Sequence, residues 1–541
     1  MKKVLLFMTS LLTTLMLSAQ SGNTTTKVVS NDGTLIEAPV FGSAAADLIH
    51  PRKCGNVMTD AQTTRAIATV TPCYTPHTGS PLIMVILAEF QDKKFTMKNV
   101  KAAFRQLWNS KETQVNMGNE NHRNYGSVAQ YFSTMSSGTF TPSFDVYGPV
   151  TLPDTMGYYG GKNPNSSSDE RSGQLVLDAI AQLTDSIADV SVYDSNSDGY
   201  IDCVYVIYAG LGQNYGGAAN TVWAKASTVS GTFKGKKLGR FAMSAEHLPY
   251  KVDESSDYVI SGVGVPCHEF SHCLGLPDIY PTVNSAQQSN NQEMEYWDLM
   301  DGGTYVYNSC CPAPYTAWEK QQMEWAADVK NITASGSYTM ATSTEKGGTA
   351  YKMVNGDDAK QYFMLENITK TGWNSQMPWA GLLVYRVVET GDDILVGTQL
   401  NNEVGKPRMA VVPADGACLS SYIKANESNY FESMRGDVFP GKTGVTQLND
   451  NMNLPNFAFY SDYTNNITVK VNQALDNIAM SSSGVITFDY IADYATGIQG
   501  ILEDVVPADG RIYTLDGRYV GTSIDSLPHG IYIRGGKKFV K

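Results

Sequence analysis

PLIMVILAEF, residues 81–90, is an almost continuous apolar run, and such a run is typical of a β-strand that is buried on both faces. A second run of this kind, CVYVIY, covers residues 203–208. Helical patterns lie between the two runs, near residues 98–109 and 127–136. A third apolar stripe with helical spacing comprises Val176, Ala179, Ile180, Leu183 and Ile187. Because strands alternate with helices, we predict an α/β (α+β) domain over residues 79–328.

The pattern changes after this domain. Short alternating runs, separated by turns rich in Gly, Asn and Asp, predict an antiparallel, all-β sandwich domain over residues 329–493. These runs are YTMAT, YFMLENI, LLVYRVVE, RMAVVPA, ITVKV and GVITFDYI. Residues 494–541 contain IYTLDGRYV and LPHGIYIRGGKKFVK, which indicate a short β-rich tail.

Residues 1–19 have the pattern of a secretory signal peptide. Two lysines are followed by an apolar run from Val4 to Leu17, and Ala19 precedes the expected cleavage. The run is short for a hydrocarbon layer of ~30 Å, and no later segment is long and apolar enough to span a membrane. Residues 20–78, rich in Thr, Ser, Asn and Pro, are interpreted as a propeptide or a leading arm. We therefore expect a protein that is secreted or displayed at the cell surface.

Composition excludes some classes of protein. The chain of 541 residues has a formal net charge of −13 and no basic patch, so we do not expect a nucleic-acid partner. A hydrophobic content of 42% with 17% charged residues is typical of a folded, water-soluble protein. The 8 cysteines are too few for a disulfide scaffold in a chain of this length.

HEFSHCLGLPDIY, residues 268–280, contains the residues that predict the chemistry. On an α-helix, His268 and His272 lie one turn apart on one face and can present their imidazoles to one point. Zinc binds neutral imidazole nitrogen at ~2.0–2.1 Å and aspartate oxygen at ~2.0–2.2 Å. Gly275 can end the helix with a positive φ, so that the chain turns back and brings Asp278 toward the metal. These three side chains predict a site for one catalytic zinc ion.

Glu269 follows the first histidine directly. At this position a carboxylate can take a proton from a metal-activated water and later deliver it to a leaving amine. Zinc lowers the pKa of such a water toward ~7 and polarises the carbonyl that is attacked. The motif therefore predicts hydrolysis of peptide bonds with Glu269 as general base. The alternative is a helix with two ordinary surface or core histidines, and the Gly, Pro and Asp that follow weigh against it.

A methionine follows in a turn-forming context. The segment WDLMDGG, residues 297–303, places Met300 next to Asp and Gly residues. Metzincin proteases follow their zinc helix with such a Met-turn, which packs apolar sulfur beneath the ligands. The alternative is that Met300 is one of 21 methionines and fills a gap in the core. Beside the zinc motif, the Met-turn is the preferred interpretation.

Several motifs resemble the immune inhibitor A family of secreted bacterial zinc metalloproteases. They are EFQDKKF, GSVAQYFSTMSSGTF, FDVYGPVTL, HEFSHCLGLPDIY, WDLMDGG, PYTAWEKQQMEW, QYFMLENITKTGW and GLLVYRV, so the similarity runs from about residue 80 to 490. The resemblance implies a zinc endopeptidase with a metzincin-like domain and C-terminal β-sandwiches, acting on protein or peptide substrates. By match of motif, it implies His268, His272 and Asp278 as zinc ligands, Glu269 as general base and Met300 as the Met-turn residue.

The tail resembles the C-terminal sorting domains of the type IX secretion system. The similar features are Gly-Ile-Tyr-Ile and the terminal Lys-Lys-Phe-Val-Lys. This resemblance implies the type IX secretion machinery as a partner.

A second metal site is a weaker prediction. Asp194, Asn196 and Asp198 stand at alternate positions before a glycine, and Asp202 follows, as in the first half of a calcium loop. The twelfth position is Tyr205 where an EF-hand has Glu, and a strand follows. A calcium site and an ordinary Asx-rich turn therefore both remain open.

The cysteines suggest one regulatory role. PRKCG, residues 51–55, resembles the cysteine-switch segment of matrix metalloproteases, with an extra lysine. Basic neighbours favour the thiolate, a good zinc ligand, so Cys54 is a candidate propeptide latch. There are two alternatives: Cys54 forms a disulfide with Cys73, or it is a free thiol in the leading arm. Cys267 and Cys273 would point ~120° apart on one helix, so they cannot pair with each other and are expected to pack in the core.

Two other functions compete with a secreted zinc metalloendopeptidase. A catalytically silent surface-binding protein could use the β-sandwich to hold protein or glycan, although it would have no need of Glu269. A non-proteolytic zinc hydrolase of small amides uses the same chemistry, but no motif supports it.

Overall fold

The structure, a computed structural model, describes most of the chain from residue 74 onward. The described ranges are 74–112, 124–161, 169–251, 258–282, 293–325, 327–389, 400–418, 430–494, 510–534 and 537–541. Of the N-terminal segment it describes two antiparallel strands, β1 (Thr25–Val29) and β2 (Leu35–Pro39). The predicted signal peptide and the candidate latch Cys54 lie outside the described residues, as does Cys73.

A six-stranded sheet is the centre of the first part of the chain. Its strands are β3 (Leu82–Glu89), β4 (Ser143–Thr151), β5 (Val204–Leu211), β6 (Lys225–Phe233), β7 (Lys236–Lys251) and β8 (Tyr258–Ile260). The order is β4-β3-β5-β7-β6, and β8 also pairs with β7. Strands β4, β3, β5 and β7 are parallel to one another, whereas β6 and β8 run antiparallel to β7. The two apolar runs of the sequence are the central strands β3 and β5, and their interior residues are buried, as predicted.

Short helices connect and cover the strands. They are α1 (Val100–Asn109), α2 (Val128–Met135), α3 (Met156–Gly160), α4 (Ser172–Ala181), α5 (Gly264–Leu274), α6 (Ala317–Gln322) and α7 (Tyr430–Ser433). The predicted third stripe is longer than its helix, because α4 ends at Ala181 and leaves Leu183 and Ile187 buried in the turns that follow. Thr184 Oγ1 donates a hydrogen bond to Ala181 O at 2.8 Å, and such a local bond competes with continuation of the helix.

The β-rich part consists of two packed sheets and a hairpin. Its strands are β9 (Val329–Asn331), β10 (Gly336–Met340), β11 (Ala350–Val354), β12 (Gln361–Ile368), β13 (Gly381–Val388), β14 (Met409–Val411), β15 (Phe459–Asp462), β16 (Ile467–Val469), β17 (Ala474–Met480) and β18 (Ile486–Ile491). The sheet orders are β14-β13-β12-β11-β9 and β10-β18-β17, and β15 pairs with β16. Side chains such as Phe363, Val384 and Phe488 form a core shared by the two sheets, which is the packing of a β-sandwich.

One pair of strands departs from the predicted antiparallel pattern. β9 and β11 are parallel, and the register pairs Ala350 with Val329. Between them the chain passes through β10, which belongs to the other sheet. Such a crossover returns the chain in the same direction, and this makes the parallel pairing possible.

The central strands β12 and β13 are buried on both faces, although their sequences had been interpreted as alternating. Val384 packs in the sandwich core, whereas its neighbours Leu383 and Tyr385 belong to the core of the first domain. The sandwich therefore packs directly on the α/β domain. Glu366, buried in β12, accepts hydrogen bonds from Tyr385 Oη at 2.6 Å and from the backbone N–H of Ala317 at 2.8 Å, which satisfies a polar group at this interface.

The tail forms a small sheet of its own. Its strands are β19 (Ile512–Thr514), β20 (Tyr519–Gly521), β21 (Ile531–Arg534) and β22 (Lys537–Val540), in the order β20-β19-β21-β22. A minor core of Ile512, Leu527 and Tyr532 holds it together. The β-rich character predicted for this segment is confirmed.

Among the described residues, no helix has the length and apolar composition needed to cross a membrane.

Candidate metal centre

The helix that carries the HEFSH motif ends where the sequence predicts. All residues of α5, from Gly264 to Leu274, are buried. Gly275 follows with a φ of 115°, a left-handed conformation that glycine adopts readily. The backbone N–H groups of Gly275 and Leu276 both donate to Ser271 O at 3.1 Å. These bonds satisfy the end of the helix and reverse the chain toward the histidine face.

The three predicted ligand side chains lie together. Nε2 of His268 is 3.3 Å from Oδ1 of Asp278, and Nε2 of His272 is 3.2 Å from the same oxygen. The candidate ligand atoms all lie within 4.8 Å of one another, and no other group of His, Cys, Asp or Glu with this property is found in the part of the chain that the structure describes. All three side chains are almost completely buried.

Hydrogen bonds at the opposite ring nitrogens fix the tautomers of the two histidines. Nδ1 of His268 is 2.9 Å from Leu299 O, and Nδ1 of His272 is 2.7 Å from Leu276 O. Because a carbonyl oxygen can only accept, each Nδ1 carries the proton of the neutral ring. Each Nε2 therefore presents a lone pair to the centre of the site, which is the state in which histidine binds a metal ion.

The donor set fits a zinc ion. Nε2 of His268, Nε2 of His272 and Oδ1 of Asp278 are buried and have no hydrogen-bond partner. Three electron-rich atoms that converge in a buried place repel one another unless a cation lies between them. A tetrahedral zinc ion with bonds of ~2.0–2.1 Å places its ligand atoms about 3.4 Å apart. The observed separations of 3.2 and 3.3 Å agree with this geometry.

The loop with Asp278 is tied to the segment around Met300. The backbone N–H of Ile279 donates to Met300 O at 2.9 Å, and the N–H of Met300 donates to Asp298 Oδ1 at 2.7 Å. Met300 itself is fully buried. The predicted turn therefore supports the position of Asp278 through the backbone of the next residue.

Thr304 was not singled out from the sequence, although it contacts the first histidine. Its Oγ1 lies 3.0 Å from Nδ1 of His268 and donates to Leu299 O at 2.6 Å. Gly303, the residue before it, packs closely on Asp298, because a Cβ there would lie 2.2 Å from Asp298 O. The two glycines that precede Thr304 were the available signal, since glycine permits close backbone approach.

Glu269 lies on α5, directly after the first histidine, and is fully buried. Successive residues of a helix are separated by about 100° around its axis. The carboxylate of Glu269 is therefore beside the face that His268 and His272 share, and not on it.

A pair of buried carboxyl groups adjoins the Met300 segment, and no pattern in the sequence indicates it. Asp298 and Glu319 are fully buried, and each carboxyl group affects the pKa of the other. Burial raises the pKa of both groups, and the charge of Asp298 raises that of Glu319 further. Two neighbouring buried carboxyl groups repel each other unless one of them holds a proton, which we assign to Glu319. The pair lies where α6 meets the Met300 segment.

The predicted calcium loop is a hydrogen-bonded turn with a lysine beside it. Oδ1 of Asp194 accepts the N–H of Asp198 at 3.0 Å, and Oδ1 of Asn196 accepts the same N–H at 3.1 Å. Lys236 forms an ion pair with Asp194. Burial raises the pKa of Asp202 to about 6. These contacts account for the turn without an ion, and calcium binding here stays a prediction.

Cys273 of α5 and Cys203, just before β5, are close in space. Cys267 and Cys273 are fully buried, in agreement with the expected packing role. Burial raises the pKa of the thiol of Cys203, which precedes β5, and the neighbouring thiol of Cys273 raises it further. This proximity depends on how the helix packs on the sheet, so the spacing in the sequence could not reveal it.

Residues 74–78, which the sequence had assigned to the leading arm, pack on the end of α5. The N–H of Thr75 donates to Cys273 O at 3.1 Å, and Nε2 of His77 lies 2.5 Å from Leu274 O. Both carbonyls belong to the last turn of the helix, where no intrahelical donor remains for them. The segment therefore caps the helix that carries both histidines.

Comparisons with known proteins agree with the site. Residues 74–328 match the family model described as the catalytic domain of immune inhibitor A peptidase M6. The pre-pro-metalloprotease PrtV of Vibrio cholerae serotype O1 is 27% identical over 229 residues, which are 38% of this chain and 24% of that protein. Immune inhibitor A of Bacillus thuringiensis subsp. alesti is 29% identical over 226 residues, 36% of this chain and 31% of that protein.

The chain thus spans about a quarter to a third of the length of these two relatives. The matched family model covers all residues of the metal centre, including α5, the Asp278 loop and the Met300 segment. Residues 74–328 are therefore similar to the catalytic domain of the immune inhibitor A peptidase M6 family.

Proposed function

We propose that this protein is a secreted zinc metalloendopeptidase with a metzincin-like catalytic domain. In this proposal His268, His272 and Asp278 hold one zinc ion, Glu269 is the general base and Met300 is the Met-turn residue. The observation that supports it most directly is the convergence of two Nε2 lone pairs and a carboxylate oxygen at 3.2–3.3 Å, with both Nδ1 protons directed at carbonyl oxygens.

When bound, zinc supplies Lewis-acid chemistry: it polarises a carbonyl and lowers the pKa of a water toward ~7. The carboxylate of Glu269 takes a proton from the attacking water and delivers it to the nitrogen of the leaving amine. Leu299 O and Leu276 O orient the two imidazoles through their Nδ1 protons. Burial of Glu269 keeps bulk water from competing for the transferred proton.

Export is part of the same proposal. A signal peptide over residues 1–19 would direct the chain across the first membrane, and residues 494–541 would be read by the type IX secretion machinery. The compact sheet of the tail, with its own minor core, supports a separately recognised module. Protein and peptide substrates follow from the family of the catalytic domain.

The test of the proposed function is the pair Glu269→Gln and, as a matched control, Glu170→Gln at an exposed glutamate. Because Glu269 is not a ligand, the Glu269→Gln variant should keep stoichiometric zinc while cleavage of casein falls by at least ~10²-fold. The control should cleave normally, and a chelator should stop the parent enzyme until zinc is added back. Near-normal proteolysis by Glu269→Gln would contradict the assigned general base.

The same experiment separates the rival function. A catalytically silent binding protein would bind zinc without any cleavage by the parent chain, so that the parent and Glu269→Gln would be indistinguishable.

A further inference from the structure

Two adjoining depressions lie on the β-sandwich, and none of the residues that line them belongs to the metal centre. Each has a volume of ≈ 470 Å³, and they share Lys370, Ala380, Met480, Ser481 and Ser482. We call the two depressions together the cationic groove. It is bounded by the turn between β17 and β18 and by the segment that follows β12.

The charge of the groove is opposite to that of the whole protein. Lys346, Lys370 and Arg435 line it, and none of the Asp and Glu residues that the structure describes does. The chain has 53 acidic and 40 basic residues and a net charge of −13, so a concave surface with three cations and no lining carboxylate is unusual here. Such a surface attracts anionic groups.

The cations are only partly neutralised by the protein itself. Arg435 pairs with Glu432 through Nη2, but its Nε is buried and has no hydrogen-bond partner. Burial and the neighbouring Arg435 lower the pKa of Lys370. A bound carboxylate would offset the repulsion between these two cations and could accept a hydrogen bond from the guanidinium.

The uncharged lining favours a polypeptide over a sugar. Pro378, Trp379, Pro440 and Met480 give one of the two depressions an apolar surface, and Trp379 is 36% exposed. The other depression is lined mainly by Ser and Thr hydroxyls, which can bond to the backbone of an extended peptide. The guanidinium of Arg435 lies 5.5 Å from the centre of the indole ring, so one face of that ring is already in use. An extended peptide with alternating acidic and apolar side chains could pair its carboxylates with the cations and pack its apolar side chains on the apolar lining.

We propose that the cationic groove is a second binding site for substrate, which holds an acidic, extended segment of the polypeptide at a distance from the bond that is cleaved. The proposal rests on the proposed proteolytic function for the identity of its ligand. The binding itself does not require turnover, so it can be measured separately.

Binding is measured by fluorescence anisotropy on the full chain carrying Glu269→Gln, with a labelled peptide of alternating Glu and Leu. The same peptide with Gln in place of Glu is the uncharged probe. We expect the acidic peptide to bind at least about tenfold more tightly, and the difference to shrink as salt is raised. Equal binding of the two peptides would overturn the proposal.

Variants that reverse the charge of the groove residues test whether the peptide binds in the groove. Lys370→Glu together with Arg435→Glu should weaken binding of the acidic peptide at least about tenfold, and Lys346→Glu alone about threefold. Lys330→Glu is the matched control, since Lys330 is an exposed lysine of the same sandwich that pairs with Asp328. A control that loses as much affinity as the groove variants would overturn the proposal. Lys346 is exposed and bonds only to Thr371 among the contacts described, so this variant tests the groove even if the double variant fails to fold.

A sulfated oligosaccharide is the third probe. If it binds more tightly than the acidic peptide and competes for the same residues, the groove recognises glycans and the peptide assignment is wrong. Failure of all binding would leave the zinc-dependent cleavage of casein untouched, so the two proposals can fail independently.

Discussion

At the scale of single residues, the metal centre depends on which atom each side chain turns inward. The two histidines direct Nδ1 to carbonyls of their surroundings and Nε2 to Asp278. Asp278 is a shorter ligand than histidine, and the chain compensates by reversing at Gly275, only three residues after His272. The anchoring of Ile279 to Met300 O then holds the carboxylate in place.

Removing this carboxylate tests its role. Asp278→Ala leaves two protein ligands, so we expect the affinity for zinc to fall by at least ~10²-fold, as measured by competition with a chelator. Asp278→His should recover part of this loss, because imidazole is also a good ligand but is too long for the present loop. Asp185→Ala, at an exposed position, is the control. Unchanged zinc affinity in Asp278→Ala would show that Asp278 is not a ligand.

The grouping of the three candidate ligands could be predicted from the sequence, whereas the residues that hold them in place could not. His268, His272 and Asp278 follow from helical spacing and one glycine, which are local properties. Thr304 and Leu299 reach His268 only because a distant segment folds against α5, and no spacing in the sequence encodes that contact.

At the scale of elements, a strand is easier or harder to predict from its sequence according to whether one or both of its faces are buried. β3 and β5 were predicted because a buried parallel strand is apolar throughout. The runs of β12 and β13 are interpreted from the sequence as alternating, and they contain Glu366 and Arg386. The structure buries both charged side chains with hydrogen-bond partners. Glu366 lies at the interface with the α/β domain, whereas Arg386 donates to Pro407 O within the β-rich part, so neither side chain marks a solvent face.

The buried pair Asp298–Glu319 predicts how stability depends on pH. Burial raises the folded-state pKa of both acids above the unfolded value of about 4, so the folded protein binds more protons than the unfolded chain above that pH. Their contribution to stability is therefore present at low pH and is lost as the pH rises through the folded-state values.

Glu319→Gln removes the proton uptake by Glu319, because the amide can donate to Asp298 without titrating, whereas Asp298 remains buried and still titrates. From about pH 5 to 8, we expect its free energy of unfolding to fall less steeply than that of the parent, by up to ~1.4 kcal/mol per pH unit. Urea unfolding at saturating zinc measures this difference. Glu324→Gln, at an exposed position of the same region, should follow the parent. Parallel curves for parent and Glu319→Gln would contradict the proton assigned to Glu319.

At the scale of the whole molecule, the α/β domain is closed by parts of the chain that lie before and after it. One face of β12 and β13 completes its core, and residues 74–78 cap its metal helix. Neither contact could be predicted from the sequence. Packing across two domains leaves no periodic pattern, and the Thr- and Pro-rich composition before residue 79 indicated only a leading arm.

This arrangement limits where a precursor can be cut. Thr75 donates its N–H to Cys273 O and its hydroxyl to Asp202 O, and Trp325 Nε1 donates to His77 O. We therefore expect N-terminal sequencing to place the start of the mature enzyme at or before Tyr74. A chain that begins at Gly79 loses these three bonds and should be about 2–4 kcal/mol less stable than one that begins at Tyr74. Equal stability of the two truncated chains, or a mature enzyme that starts after His77, would contradict this.

The most direct test of the central claim is anomalous X-ray scattering at the zinc edge from crystals of the full chain. We predict one strong peak in the metal centre, within ~2.0–2.2 Å of Nε2 of His268, Nε2 of His272 and an oxygen of Asp278, with Glu269 beside the metal and not bound to it. A peak coordinated by another residue while Asp278 faces solvent, or no zinc at these three side chains in an active enzyme, would contradict the claim.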